Sequence, residues 1–138
     1  MSKASKVMAE THRWLVYARQ DMRAAQALAS QTQSFPQQIC FLCQQSAEKK
    51  AVLIFLQIEF PFCHDLELLT TLIPEGWHCK QLTNLEQLTE WAVHSRYPTD
   101  APDPSDRDAQ IALQQAETVL AVVEQDMIHH GLPPLHRF

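Results

Sequence analysis

Three prolines stand within seven residues, at 98, 102 and 104, in the stretch Ser95-Arg96-Tyr97-Pro98-Thr99-Asp100-Ala101-Pro102-Asp103-Pro104-Ser105. Each lacks a backbone N–H and clashes with the turn before it, so no helix runs through this stretch. Before it, every segment with a clear apolar rhythm repeats in steps of three and four, and so does the long segment after it. The chain is therefore confined to helices on either side of a bend. Arg96 and Tyr97 stand where one of those helices must end.

With two glycines in 138 residues and abundant Gln, Ala and Leu, little else competes with helix. A net charge of −5 supplies no general basic field for nucleic acid. The nearly apolar run at residues 51–58 is far shorter than the ~20 residues of a membrane span, and residues 1–13 have no apolar core of a signal peptide. Four cysteines in such a chain are expected as reduced thiols. The expectation is one cytoplasmic domain with no membrane contact: a flexible tail at 1–10, a helical domain at 11–130, and a second tail at 131–138.

The first helix is expected to start at Thr11, with Trp14, Tyr17, Ala18, Asp21, Ala24, Ala25 and Leu28 on one face. Asp21 interrupts that face, and a buried carboxylate needs either water or a partner. Polar residues 30–34 form the first connection. Pro36 suits the first turn of a second helix, expected over 36–57 with Ile39, Leu42, Cys43, Ala47, Val52, Leu53, Phe55 and Leu56 apolar. Gln45 and Glu48 line up above Val52 on that helix. A short third helix follows Asp65, a suitable N-terminal acceptor, and carries Leu66, Leu68, Leu69 and Leu72. A fourth is expected over 81–95, with Leu82, Leu85, Leu88, Trp91 and Ala92 in register. Ser105 and Asp108 have the spacing of a capping box for a fifth, whose stripe is Ala109, Ala112, Ala116, Val119, Leu120, Val123 and Met127. Residues 131–134, Gly-Leu-Pro-Pro, end it. The fold class that results is all-α, an antiparallel up-and-down bundle of four to five helices.

Cys40-x-x-Cys43, Cys63-His64 and His78-Cys79 have side chains that suit zinc. Their placement argues otherwise, because Cys40 and Cys43 fall on the apolar face of a helix, where free cysteine is an ordinary core residue. No metal site and no cofactor are expected. Neither a glycine-framed nucleophile nor a glycine-rich phosphate loop occurs. His129 and His130, near the last helix end, complement its dipole.

Four short patterns occur in order: Trp14…Ala18…Asp21…Ala24, Phe41…Gln44-Gln45-Ser46-Ala47-Glu48-Lys49, His64-Asp65-Leu66 and Arg96-Tyr97-Pro98. Together they resemble the HEPN domain of the nucleotidyltransferase-associated, Arg-Tyr-Pro type, over residues 14–127. In such domains a second lysine often stands at the position of Val52; here the additional lysine is Lys50, on another face. Cys63 stands where a Thr or a similar cap is usual. The resemblance implies a four- or five-helix bundle, commonly a homodimer, often beside a minimal nucleotidyltransferase and frequently in a toxin–antitoxin pair. Active members resemble one another in an Arg followed, after four to six residues, by a His. There, imidazole moves a proton while guanidinium stabilises phosphate charge.

Beyond Arg96 the positions in reach are Ala101, Pro102 and Asp103, so the histidine is missing, and His94 precedes the arginine. An ordinary carboxylate such as Asp100 or Asp103 is a poor base near neutral pH. The expectation is a non-catalytic binding module for a nucleotidyltransferase partner, nucleotides or RNA. A ribonuclease using Arg96, and an interaction scaffold with no nucleotide role, are the alternatives. Arg96, Tyr97, Lys49 and Lys50 are the candidate ligand or phosphate contacts. Asp21, Gln45, Glu48 and Arg96 are the candidate buried polar network, with the guanidinium of Arg96 answering the two carboxylates.

Overall fold

The computed structural model describes residues 2–47, 50–61, 65–82, 85–94 and 102–132, with backbone alone at 86 and 92–94. Within these the chain is an all-α helical bundle. Its elements are α1 (Lys3–Ala29), α2 (Pro36–Ser46), α3 (Lys50–Phe55), α4 (Leu66–Thr71), a 3-10 turn (His78–Gln81), α5 (Glu86–His94) and α6 (Asp106–His129). No described helix is long and apolar enough to cross a membrane.

Helix α1 begins ahead of the expected Thr11. Ser2 caps it by accepting the Ser5 N–H at 3.1 Å, so the helix starts at Lys3 although residues 3–10 carry little apolar rhythm. The six-residue connection 30–35 turns the chain into α2, where Pro36 occupies the first turn. Two side-chain pairs set the direction of α6 against α1. Arg19 binds Glu124 and Gln26 reaches Glu117, so seven residues forward along α1 are seven residues back along α6. The two long helices are antiparallel. The Arg19 guanidinium meets both Glu124 oxygens, at 2.5 and 2.9 Å, a fork geometry stronger than a single surface contact.

Helix α2 sits at the centre, against α1, α5 and α6. Its buried face carries Ile39, Cys40 and Cys43, and α6 meets it with Ala109, Ala112 and Ala116. Small side chains on one helix let the other approach closely, which suits a core at organic-crystal density. Val119, Val123 and Met127 continue the α6 stripe, as its spacing predicts. Each fully buried Leu or Ile of this core, such as Leu15, Leu53, Leu69 or Leu88, contributes about 1.5–3 kcal/mol by leaving water.

The element ends follow local chemistry. Ser105 accepts the Asp108 N–H at 3.1 Å and Asp108 accepts the Ser105 N–H at 2.9 Å, completing the expected capping box. Gly131 (φ 102°) closes α6: the Leu132 N–H returns to the Met127 carbonyl, and Leu132 is buried. The same closure ends α3 without glycine, at Gln57 (φ 57°), with the Ile58 N–H on the Leu53 carbonyl. Asp65 caps α4 through the Leu68 N–H, and Thr89 of α5 accepts the Leu66 N–H. Lys80 donates to the carbonyls of Thr70, Thr71 and Ile73 at the other end of α4.

Two expected helices are shorter than their periodicity suggests. The 36–57 segment is described as α2 and α3, with Ala47 capping the first. At the start of the 81–95 segment, Gln81 ends a 3-10 turn (His78–Gln81) and Leu82 is extended, and α5 proper begins at Glu86.

Candidate functional site

The face of α1 that the spacing assigned to the core is offset from the one actually buried. Thr11, Leu15, Met22 and Ala25 are buried, at alternating steps near the heptad, whereas Tyr17 is 54% exposed and Ala24 is exposed. Trp14, Tyr17, Ala18 and Asp21 border an open cleft of about 290 Å³, Trp14 also packing in part against the core. Small side chains at Ala18, Ser46 and Ala51 leave this space between α1, α2, α3 and α6. Leu120 and Val123 of α6 supply an apolar side.

Three polar residues singled out in the sequence converge there. Asp21 enters from α1, Gln45 from the last turn of α2 and Lys50 from the start of α3. Asp21 is half-buried, which resolves its place in the stripe: it borders the cleft rather than the core. Gln45 is also half-buried and donates through Nε2 to Oε1 of the fully buried Gln44. Lys50 is only 5% exposed, and its ammonium lies 5.8 Å from the ring centroid of Trp14, within range of a cation–π contact. Val52, two residues on, is in the core, so Lys50 and Val52 do occupy different faces. The remaining candidates, Glu48, Lys49, Arg96 and Tyr97, lie outside the described residues, as do His64 and Pro98.

Ser46 adds a polar atom that the sequence did not flag. It is 5% exposed, lines the cleft, and its Oγ has no hydrogen-bond partner among the described residues. A buried hydroxyl in that state costs about 1–3 kcal/mol relative to a satisfied one.

A second polar cluster lies at the end of α6. Asp126 is 2% exposed and accepts from the Cys79 N–H at 2.7 Å and from Nδ1 of His78 at 2.9 Å. An ionised carboxylate only accepts, so Nδ1 carries the proton in this pair. Burial pushes the Asp126 carboxyl up, but the Cys79 backbone N–H and the His78 ring, joined by the Cys79 side chain and the His78 backbone, outweigh it and hold it below the usual carboxylate value. Beside it the Trp77 ring stacks on His130, centroids 4.0 Å apart and 5° from parallel, while Phe55 meets Trp77 edge-on. The sequence contained a signal for Asp126: like Asp21, it is an acid falling within an apolar helical stripe.

Cys40 and Cys43 are buried free thiols on α2, and Cys79 is a third. Burial pushes both Cys40 and Cys43 up to about 12, with Asp108 adding to the first and Cys40 and Glu117 to the second. Thiols held so strongly protonated are poor nucleophiles near neutral pH.

A family model described as the HEPN domain matches residues 11–126. No curated protein matches the chain. No solved structure matches it either.

Proposed function

The chain belongs to the HEPN domain family, and from that premise we propose that it is a non-catalytic binding module for nucleotides or for a minimal nucleotidyltransferase partner. A homodimer acting within a toxin–antitoxin pair is the biological setting this reading favours. One observation carries it: Asp21, Gln45 and Lys50 meet in a cleft between α1, α2, α3 and α6. A lysine kept 5% exposed beside a tryptophan is held in place before any ligand arrives.

The catalytic alternative lacks its proton carrier. Arg96 is followed by Ala101, Pro102 and Asp103 where active members have histidine. Guanidinium alone stabilises charge but does not shuttle a proton at neutral pH.

The test uses the full chain and a set of fluorescent nucleoside triphosphates, with RNA incubated in parallel. Expected are saturable nucleotide binding and intact RNA. Lys50→Gln should weaken binding at least about tenfold, the loss of one charge-assisted contact, with the helical circular dichroism of the parent. RNA cut by the parent and spared by Arg96→Ala would establish the ribonuclease instead. Neither binding nor cutting would leave the scaffold reading.

A further inference from the structure

Away from the cleft, the end of α6 meets a histidine whose two ring nitrogens stand in different surroundings. Nδ1 of His78 donates to Oδ1 of Asp126 at 2.9 Å, while the side chain is 77% exposed and no described residue bonds to Nε2. Neither residue lines the cleft. The carboxylate beneath the ring is 2% exposed and does not depend on that ring for its place. Its other oxygen accepts the Cys79 N–H at 2.7 Å, with the Cys79 side chain and the His78 backbone also against it. A fixed acceptor at Nδ1 selects the tautomer with the proton there, which leaves the Nε2 lone pair directed to solvent.

We propose that His78 is a phosphorylation site, its Nε2 accepting the phosphoryl group of a small acyl phosphate, with Asp126 as the positioning residue. The step balances on the groups present. Nε2 attacks phosphorus, the bond from phosphorus to the acyl oxygen breaks, and the donor's carboxylate leaves with that electron pair. The ring proton stays on Nδ1, so no external base takes part. The positive charge gained by the ring faces the buried Asp126 carboxylate, where attraction is stronger than in bulk water. Exposure decides between an acceptor and an active centre. An imidazole 77% exposed has no walls to hold a substrate, whereas an acceptor has only to be reached. The phosphoryl group it gains stays in water, so its charges are not desolvated. The described thiols, at Cys40, Cys43 and Cys79, are buried and do not compete.

Acetyl phosphate incubated with the full chain tests this, read by intact mass, by phosphorus NMR and by peptide mapping in mild base, which preserves phosphohistidine. Expected is one phosphoryl group on His78, gained at least about tenfold faster than at the exposed His129 or His130 of the same molecule, the value of one charge-assisted contact. Asp126→Asn is the decisive variant. Its side-chain carbonyl still serves Cys79, while its amide donates to Nδ1 and drives the ring proton to Nε2. Nitrogen NMR of the His78 ring should show that reversal of tautomer, and labelling of His78 should fall to the rate of His129. A carboxylate kept only for structure would change the melting temperature and leave the labelling rate alone. His78→Gln, at an exposed position, should keep the circular dichroism of the parent and lose the label. Equal labelling of His78, His129 and His130 in the parent overturns the proposal, whether or not Asp126→Asn folds. So does labelling of His78 that persists at the parent's rate in a folded Asp126→Asn chain, or modification by acetyl phosphate confined to amines.

Discussion

Asp126 is the buried charge on which the junction between α6 and the 3-10 turn depends. Truncating it to Ala removes the acceptor of the Cys79 N–H, a group belonging to a fully buried residue. An amide stranded in that position costs about 1–3 kcal/mol. The His78 side chain is 77% exposed, so water replaces most of what it loses, and that contact adds less than about 1 kcal/mol. Together these put Asp126→Ala at about 2–4 kcal/mol, or a fall of roughly 6–15 °C in Tm for a chain of this length. Asp126→Asn keeps a carbonyl oxygen for Cys79 and loses only the charge assistance, so about 1 kcal/mol is expected.

The pH dependence separates the two variants further. The folded carboxyl lies below the ordinary value of 3.8, so the folded state holds its proton less tightly than the unfolded chain does. The contribution is therefore complete above that ordinary value, and it is lost as pH falls through the lower folded value. Thermal melts followed by far-UV circular dichroism between about pH 7 and about pH 2 measure this. The gap between parent and Asp126→Asn should be constant down to about pH 4 and close below it. An Asp126→Ala variant melting within about 2 °C of the parent, or an Asn variant whose acid limb parallels the parent's, refutes the reasoning.

Two further outcomes are expected. Gln57 adopts φ 57° at the end of α3, a left-handed conformation that costs a residue with a Cβ about 1 kcal/mol. Gln57→Gly should raise stability by about 0.5 kcal/mol after glycine's larger unfolded entropy is counted, and a lowered Tm would contradict the assignment. In a Cys63→Ser chain, Cys40, Cys43 and Cys79 should resist a thiol-reactive disulfide reagent until denaturant is added, because all three are buried and the first two are raised to about 12. Rapid native labelling would show that the α2–α6 contact opens.

The ends of helices were more legible than their extents. Ser105 with Asp108, Pro36, Asp65 and Gly131 each perform the capping or closing role that their chemistry assigns, since a cap depends on neighbours within four residues. The start of α1 was not legible, because Ser2 is a cap without an apolar rhythm over residues 3–10 to mark the helix it opens. Leu82, Leu85 and Leu88 keep steps of three across the start of α5, and that spacing does not distinguish a 3-10 turn and an extended residue from continuous helix.

The site was hidden by the same ambiguity, at a finer angle. Adjacent residues on a helix lie about 100° apart, so Trp14 and Leu15 both fit an apolar stripe although Leu15 is fully in the core and Trp14 only partly so, at the edge of the cleft. Large aromatic residues drew the stripe towards Trp14 and Tyr17; packing buried Thr11, Leu15 and Met22 beside the expected Ala25, with Trp14 and Leu28 packed in part against the core. What decided the matter is size across the gap. Ala18, Ser46 and Ala51 are too small to close the space beside α1, so the aromatic edge of that helix borders a cleft. Asp21 then ceases to be an anomaly. A carboxylate is costly in a core and inexpensive at the rim of an open cleft, where water reaches it. Its position marks the side of α1 that turns to the cleft rather than to the core.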